Sequence, residues 1–195
     1  MIAMGWLLAC GADLDLNPAL AFEGGEREEE EEDEAFGEGR APAATASLRP
    51  GVPVVTDPTW TAECGSCHLA YSPGLLPARS WDLLLGSLQD HFGDDASVDD
   101  ATRQKLVAYA RANAADVAPY SLSAGIARAS LGTTPKRILD VGRLRHEHGE
   151  IPPRMIIDNP EVKSLSNCAA CHTGAAQGRF DEGSIRIPGF GRFDD

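Results

Sequence analysis

The sequence predicts a mainly α-helical protein of two small domains, the first regular and the second an irregular α arrangement with long loops. Three observations predict this. Apolar residues of the first half recur at helical spacing, as in Trp81, Leu84, Leu85, Leu88 and Phe92. In the second half, a single helix-like stretch lies among Gly- and Pro-rich segments. Lastly, the pattern Cys-x-x-Cys-His occurs once in each half, at Cys64-Gly65-Ser66-Cys67-His68 and at Cys168-Ala169-Ala170-Cys171-His172.

Four segments follow along the chain. Residues 1–21 read as an export leader: Met1 to Ala12 is apolar, and Ala19-Leu20-Ala21 resembles a signal-peptidase site. No Lys or Arg precedes that stretch, and it is short, so either the true start lies upstream or the leader is atypical. Leu7-Leu8-Ala9-Cys10 also resembles a lipoprotein acylation site, which would tether the chain to a membrane through Cys10. Residues 22–51 read as a disordered acidic linker. Ten acids and one base lie between Glu23 and Glu38, including the unbroken run Glu28 to Glu34. That run cannot bury apolar surface, and it carries most of the net charge of -13. It serves as a solvated spacer or as a docking tail for a basic partner. Nothing in the composition points to nucleic acid, and beyond the leader no stretch approaches the 18 apolar residues of a membrane span.

The first domain, 52–118, predicts a helix capped by Ser80 and ended by Gly93. A second helix follows from Ser97 to about Ala114, with Asp99 and Asp100 in its first turn and Leu106, Tyr109 and Ala110 as its buried stripe. The second domain, 119–195, predicts a helix opening at Pro135 and running through Ile138, Val141 and Leu144 to Gly149. A short helix should carry Cys168 to His172.

The repeated motif carries the chemistry. C-x-x-C-H is the spacing of c-type haem attachment: two thiols one helical turn apart meet the two porphyrin vinyls, and the adjacent His binds the iron. Cys64, Cys67, Cys168 and Cys171 are therefore the expected covalent sites of two haem c groups, with His68 and His172 as proximal ligands. A four-cysteine zinc site is the bland alternative. It gives no reason for a His after both pairs, and its knuckles usually lie closer in sequence. Only 6% of residues are aromatic, so two haems would also supply core that the chain lacks. Covalent haem is installed outside the cytoplasmic membrane in the bacterial route, which places the protein in the periplasm.

The chain has five His and one Met beyond the leader, so candidates for the sixth ligands are few. His91 shares the helical face of Leu84 and Leu88 and is the expected distal ligand of haem one. His148 falls four residues after Leu144 and seven after Val141, and is the expected distal ligand of haem two; His146 and Met155 remain as alternatives. The order of motif, loop, distal-ligand region and closing helix in 52–118 is that of a small class I cytochrome c.

The stretches from Cys64 to Tyr71, Pro73 to Trp81, Asp90-His91-Phe92-Gly93-Asp94-Asp95-Ala96, Glu147-His148-Gly149-Glu150-Ile151-Pro152, Asn167 to His172 and Ile185 to Gly189 resemble the soluble bacterial dihaem cytochrome c family over roughly 52–190. The resemblance implies two domains and bis-His ligation of both irons, with His91 and His148 as distal ligands. It also implies electron donation to a soluble, oxygen-binding, high-spin c-haem protein, with a membrane b-type cytochrome as a donor. One departure is Thr134-Pro135-Lys136-Arg137, where the family tends to carry an aromatic after the Thr-Pro step; a changed wall at haem two is the expected consequence.

Bis-His irons have no open position and lack the Met that raises potential, so the expected activity is outer-sphere electron transfer at low potential, not catalysis. Tyr71 is the candidate for a path between the haems, and Arg79, Arg145 and Arg186 are candidates to pair with haem propionates. A dihaem peroxidase-like enzyme and a ligand-binding haem sensor are the rival readings.

Overall fold

The computed structural model describes residues 47–193. The expectations for the leader, for Cys10 and for the acidic run lie outside the described residues. The described residues belong to one compact unit. Seven α-helices are described: α1 Pro58–Cys64, α2 Ala78–Leu85, α3 Asp100–Asn113, α4 Ser121–Ala129, α5 Gly142–Gly149, α6 Pro153–Ile156 and α7 Cys168–Cys171. The rest of the described chain is loops, single 3-10 turns and three isolated β-bridges, without a strand. None of the described helices is long and apolar enough to cross a membrane.

Local chemistry sets the helix starts. Asp57 accepts the Trp60 backbone N–H at 2.8 Å, with Pro58 in the first turn of α1. Asp99 caps α3 by accepting the N–H groups of Ala101 and Thr102, both at 3.0 Å, and Asp100 sits in the first turn. Leu106 and Ala110 are buried as expected, with Tyr109 half-buried beside them.

Three expectations need correction. α2 begins at Ala78 after Pro77, not at a Ser80 cap; Ser80 is fully buried inside the helix. α2 also stops at Leu85, where Gly86 donates its N–H back to Asp82 O at 3.0 Å. A 3-10 turn, Leu88–Asp90, then carries the chain to His91, so the helical register from Leu84 does not continue. In the second half, the stretch from Pro135 to Gly149 is split. A 3-10 turn at Ile138–Asp140 ends at Val141, whose φ of -65° and ψ of 119° are extended, and α5 starts after it. Asp140 stabilises this break: its carboxylate accepts the Arg137 N–H at 3.0 Å, and its carbonyl accepts the Arg145 guanidinium at 3.0 Å. α4 has no counterpart in the sequence expectations.

The core gathers α1, α2 and α3. Trp60 meets Trp81 edge-on, 5.3 Å between ring centroids, and Tyr109 at 5.4 Å. Both indole N–H groups donate to the loop after the first motif: Trp60 to Tyr71 O at 3.0 Å and Trp81 to Pro73 O at 2.7 Å. Such buried indoles need partners, and here the partners are the backbone that leads away from His68. Val141 and Leu144 join the same buried cluster from the second half.

The two halves also meet along the backbone. Val52 N–H donates to Gly178 O at 3.0 Å, and Leu122 N–H to Gly51 O at 3.1 Å. A Cβ on Gly178 would lie 2.3 Å from Val52 O, and its φ is +71°. Farther on, buried Asn159 donates to Pro188 O at 2.8 Å and accepts from the Glu161 N–H at 3.1 Å, bracing loops that have little helix of their own. Gly178→Ala is expected to destabilise the fold by at least about 1–2 kcal/mol from the left-handed conformation alone. A differential scan should show the fall as a Tm lowered by roughly 2–4 °C per kcal/mol.

Candidate functional site

The first motif begins where α1 ends. Cys64 closes the helix, Cys67 is exposed, and the following turn brings His68 back toward the 71–73 loop. His68 Nδ1–H donates to Leu69 O at 2.7 Å. That bond commits the Nδ1 proton and leaves Nε2 as the free lone pair, the arrangement a metal-binding imidazole needs. One side of the ring stacks on Tyr71, centroids 4.7 Å apart and planes 21° from parallel. Facing it at 6.3 Å, with planes 22° apart, is His91.

His91 is presented by a tight reversal. Its N–H donates to Asp94 O at 2.8 Å, and Asp94 N–H returns to His91 O at 3.3 Å. Burial first, and then the facing His68, hold the His91 pKa below the ordinary imidazole value. Both causes favour the neutral ring, which is the ligand form.

The second motif repeats this geometry with different supports. α7 is a single turn, and His172 N–H donates to Cys168 O at 2.8 Å. His148, in the last turn of α5, faces it with centroids 6.1 Å apart. His148 Nδ1–H donates to Leu144 O at 2.8 Å, one turn back on its own helix. Burial, then His148, lower the His172 pKa. Phe180 lies 5.3 Å from the His172 ring. His146 turns away: its side chain is 79% exposed and its Nε2 lies 3.6 Å from a Glu150 carboxylate oxygen.

These distances fit a metal held between rings. An imidazole nitrogen sits about 2 Å from a transition metal, and each ring centre about 1 Å farther, so two rings on opposite sides have centroids about 6 Å apart. The thiols fit covalent attachment better than metal ligation. All four described cysteines are free. Burial, helped by Glu63, pushes the Cys64 pKa up to about 11, and burial likewise raises Cys168 and Cys171. A thiolate ligand wants the opposite environment. Among the described residues no group of three or more His, Cys, Asp or Glu converges as a bare metal ion requires, so the four-cysteine zinc alternative has no site there. An apolar groove of about 360 Å³, lined by Ile151, Pro153, Ile156, Ile157 and Leu165 with Lys163 and Ser164, lies between the segment after His148 and the approach to Cys168.

Other candidates fall as follows. The Tyr71 hydroxyl donates a short bond to Ser166 O, two residues before Cys168. Burial, and then Cys168, push its pKa up. The side chain thus touches His68 with its ring and the approach to the second motif with its oxygen. Arg79 donates to Thr133 O at 2.7 Å and to Ser130 O; Arg145 donates to Asp140 O; Arg186 donates to Ile185 O at 2.7 Å. Each of these guanidiniums braces a backbone turn. Met155 is half-buried in α6, and its carbonyl accepts from Asn159 at 3.3 Å. Phe92, expected on the buried spacing, is 42% exposed, because α2 ends before it. Arg137, in the departure from the family pattern, lies not beside the second motif but over the Phe92 ring, 3.9 Å from its centroid. Sequence reasoning assigned no role to Arg137 at the first site, nor to Phe180 at the second; Arg137 reaches Phe92 from the other half of the chain, and the irregular loop after His172 gives no periodicity that would place Phe180.

The chain resembles known proteins along most of its described length. A model of the dihaem cytochrome c family matches residues 60–180. The diheme cytochrome type c of Shewanella baltica OS155 is 39% identical, with 70% of this chain and 97% of that one covered and a TM-score of 0.57. The diheme cytochrome c of Rhodobacter sphaeroides is 46% identical over 65% of this chain and 98% of that one, again with a TM-score of 0.57. None of the curated proteins matches.

The opposed rings yield a direct expectation. His148→Ala should convert one of two low-spin irons to a high-spin form, visible as a partial loss of the low-spin absorption bands. His146→Ala should leave the spectrum unchanged. The reverse result would move the ligand to His146.

Proposed function

The chain belongs to the dihaem cytochrome c family, and on that premise we propose that it is a periplasmic electron carrier, not an enzyme, working through two closed, low-potential, bis-His irons. Two covalently bound haem c groups come with membership of the family. Each supplies an iron that gains and loses one electron when bound.

Everything else is the work of the chain. Cys64 and Cys67 hold the first group by thioethers, Cys168 and Cys171 the second, within 52–118 and 119–195 respectively. His68 and His91 close the first iron, and His172 and His148 the second. The single observation that supports closure is the opposition of these rings at 6.3 and 6.1 Å. An imidazole on each side would leave such a group no position for a substrate, and the group would supply one-electron exchange with a partner. Nitrogen ligands on both sides, without a Met, favour low potentials.

Tyr71 supplies the link between the two sites in this reading. Its ring rests on His68 and its hydroxyl bonds Ser166 O, two residues before Cys168. Partners remain those the resemblance implies: a soluble, oxygen-binding, high-spin c-haem protein as acceptor and a membrane b-type cytochrome as donor.

The deciding experiment is a visible and near-infrared spectrum of the oxidised and reduced protein, with and without CO. Two low-spin haems, no Met–iron band and no CO shift are expected; a Met–iron band or a large CO shift would overturn the bis-His reading. For the link, Tyr71→Phe keeps the ring on His68 and loses the bond to Ser166 O, at about 1 kcal/mol of stability. Tyr71→Ala removes both. Pulse-reduction kinetics should show slower equilibration between haems in the Ala variant, and unchanged rates in both would dismiss Tyr71 as a path.

A further inference from the structure

We propose that Arg137 clamps the turn that presents His91, and that this clamp keeps the first iron closed to outside ligands. The inference rests on the reading of His91 as the axial partner of His68.

The turn is built against its own sequence. His91 and Asp94 exchange backbone hydrogen bonds, which leaves Phe92 and Gly93 as the two central residues. Both have positive φ, 60° at Phe92 and 104° at Gly93. Those are the signs of a type I′ turn, whose first central position favours Asn, Asp or Gly. Gly93 takes the conformation freely, whereas a bulky Phe does so against the clash of its Cβ with the backbone. Among the described residues the only other non-glycine with positive φ is Lys163.

Burial does not offset this strain, because Phe92 is 42% exposed. Two neighbours hold its ring instead. One is His91 itself, edge-on at 4.9 Å. The other is the Arg137 guanidinium at 3.9 Å, the distance of a close cation–π stack. Arg137 comes from the second half of the chain, and its own backbone is fixed independently by the bond from its N–H to the Asp140 carboxylate. The side chain can therefore be removed without undoing the turn that carries it. His91 has few other anchors: unlike His68 and His148, its ring has no hydrogen bond to a backbone carbonyl. What fixes its direction is the turn: the Asp90 carboxylate accepts the Gly93 N–H at 3.3 Å and holds the backbone of the corner, while Arg137 holds the side chain of its strained residue, Phe92. Arg137 is thus a positioning residue that acts through Phe92.

The test uses the full-length protein with both haems attached, reduced, and titrated with CO while its visible spectrum is followed. The parent protein should take up no CO. Arg137→Ala should take up CO at one of the two haems, and Arg137→Lys, which keeps the charge but loses the flat stack, should do so to a smaller extent. Phe92→Gly in the Arg137→Ala background should be closed again, because glycine adopts the turn without a clamp. Rescue by that second change is the signature of the mechanism, and it also shows that Arg137→Ala has not simply unfolded. The proposal is overturned if Arg137→Ala stays closed, even with a shifted potential, or if the double variant opens as far as the single one. CO uptake by the parent protein would remove the axial assignment itself, and the clamp with it.

Discussion

The indole of Trp60 is wedged between Trp81 and Tyr109, and its N–H is spent on Tyr71 O. That one buried side chain ties four pieces together. It belongs to α1, the helix that ends in Cys64; it packs on α2 and α3; and it pins the backbone just after His68. The first motif would otherwise be an exposed turn with no apolar anchor, since Cys67 and His68 are themselves exposed. A short helix of seven residues is marginal on its own, so its place comes from tertiary packing. The direction of His68, and the stacking of Tyr71 upon it, follow from where Trp60 sits.

The second site has no such hub. α6 and α7 are single turns, and the loops around them are held by bonds such as those of Asn159 and by the close approach of Gly51 and Gly178. The apolar groove near the second motif is open. A flat apolar group held by Cys168 and Cys171 would supply core that the chain itself does not provide. The two sites therefore depend on different things: the first on aromatic packing, the second on backbone bracing and on its occupant.

Metal-ligand direction is a property of a few hydrogen bonds. In each facing pair one ring donates Nδ1–H to a carbonyl, Leu69 O for His68 and Leu144 O for His148, and its partner does not. The pairs differ in which ring is anchored. In the first it is the ring next to the thiols; in the second it is the distant one. The distal ring of the first pair then relies on the conformation of a loop, and the cost of that conformation falls on Phe92.

The composition, the two five-residue motifs and the small supply of His and Met made the cofactor and the ligand candidates legible from the sequence alone, because covalent attachment requires particular atoms at a fixed short spacing. The preference for His148 over His146 was legible too, since two residues along a helix point to different sides. For His91 the helical register does not explain how the ring comes to face His68: α2 stops at Leu85, and a 3-10 turn and a tight reversal bring the ring round. The break at Val141, the stack of Arg137 on Phe92 and the reach of Tyr71 to Ser166 were decided only by the tertiary structure. Each depends on residues brought together from distant parts of the chain, and periodicity reports which side a residue faces, not what it will meet there.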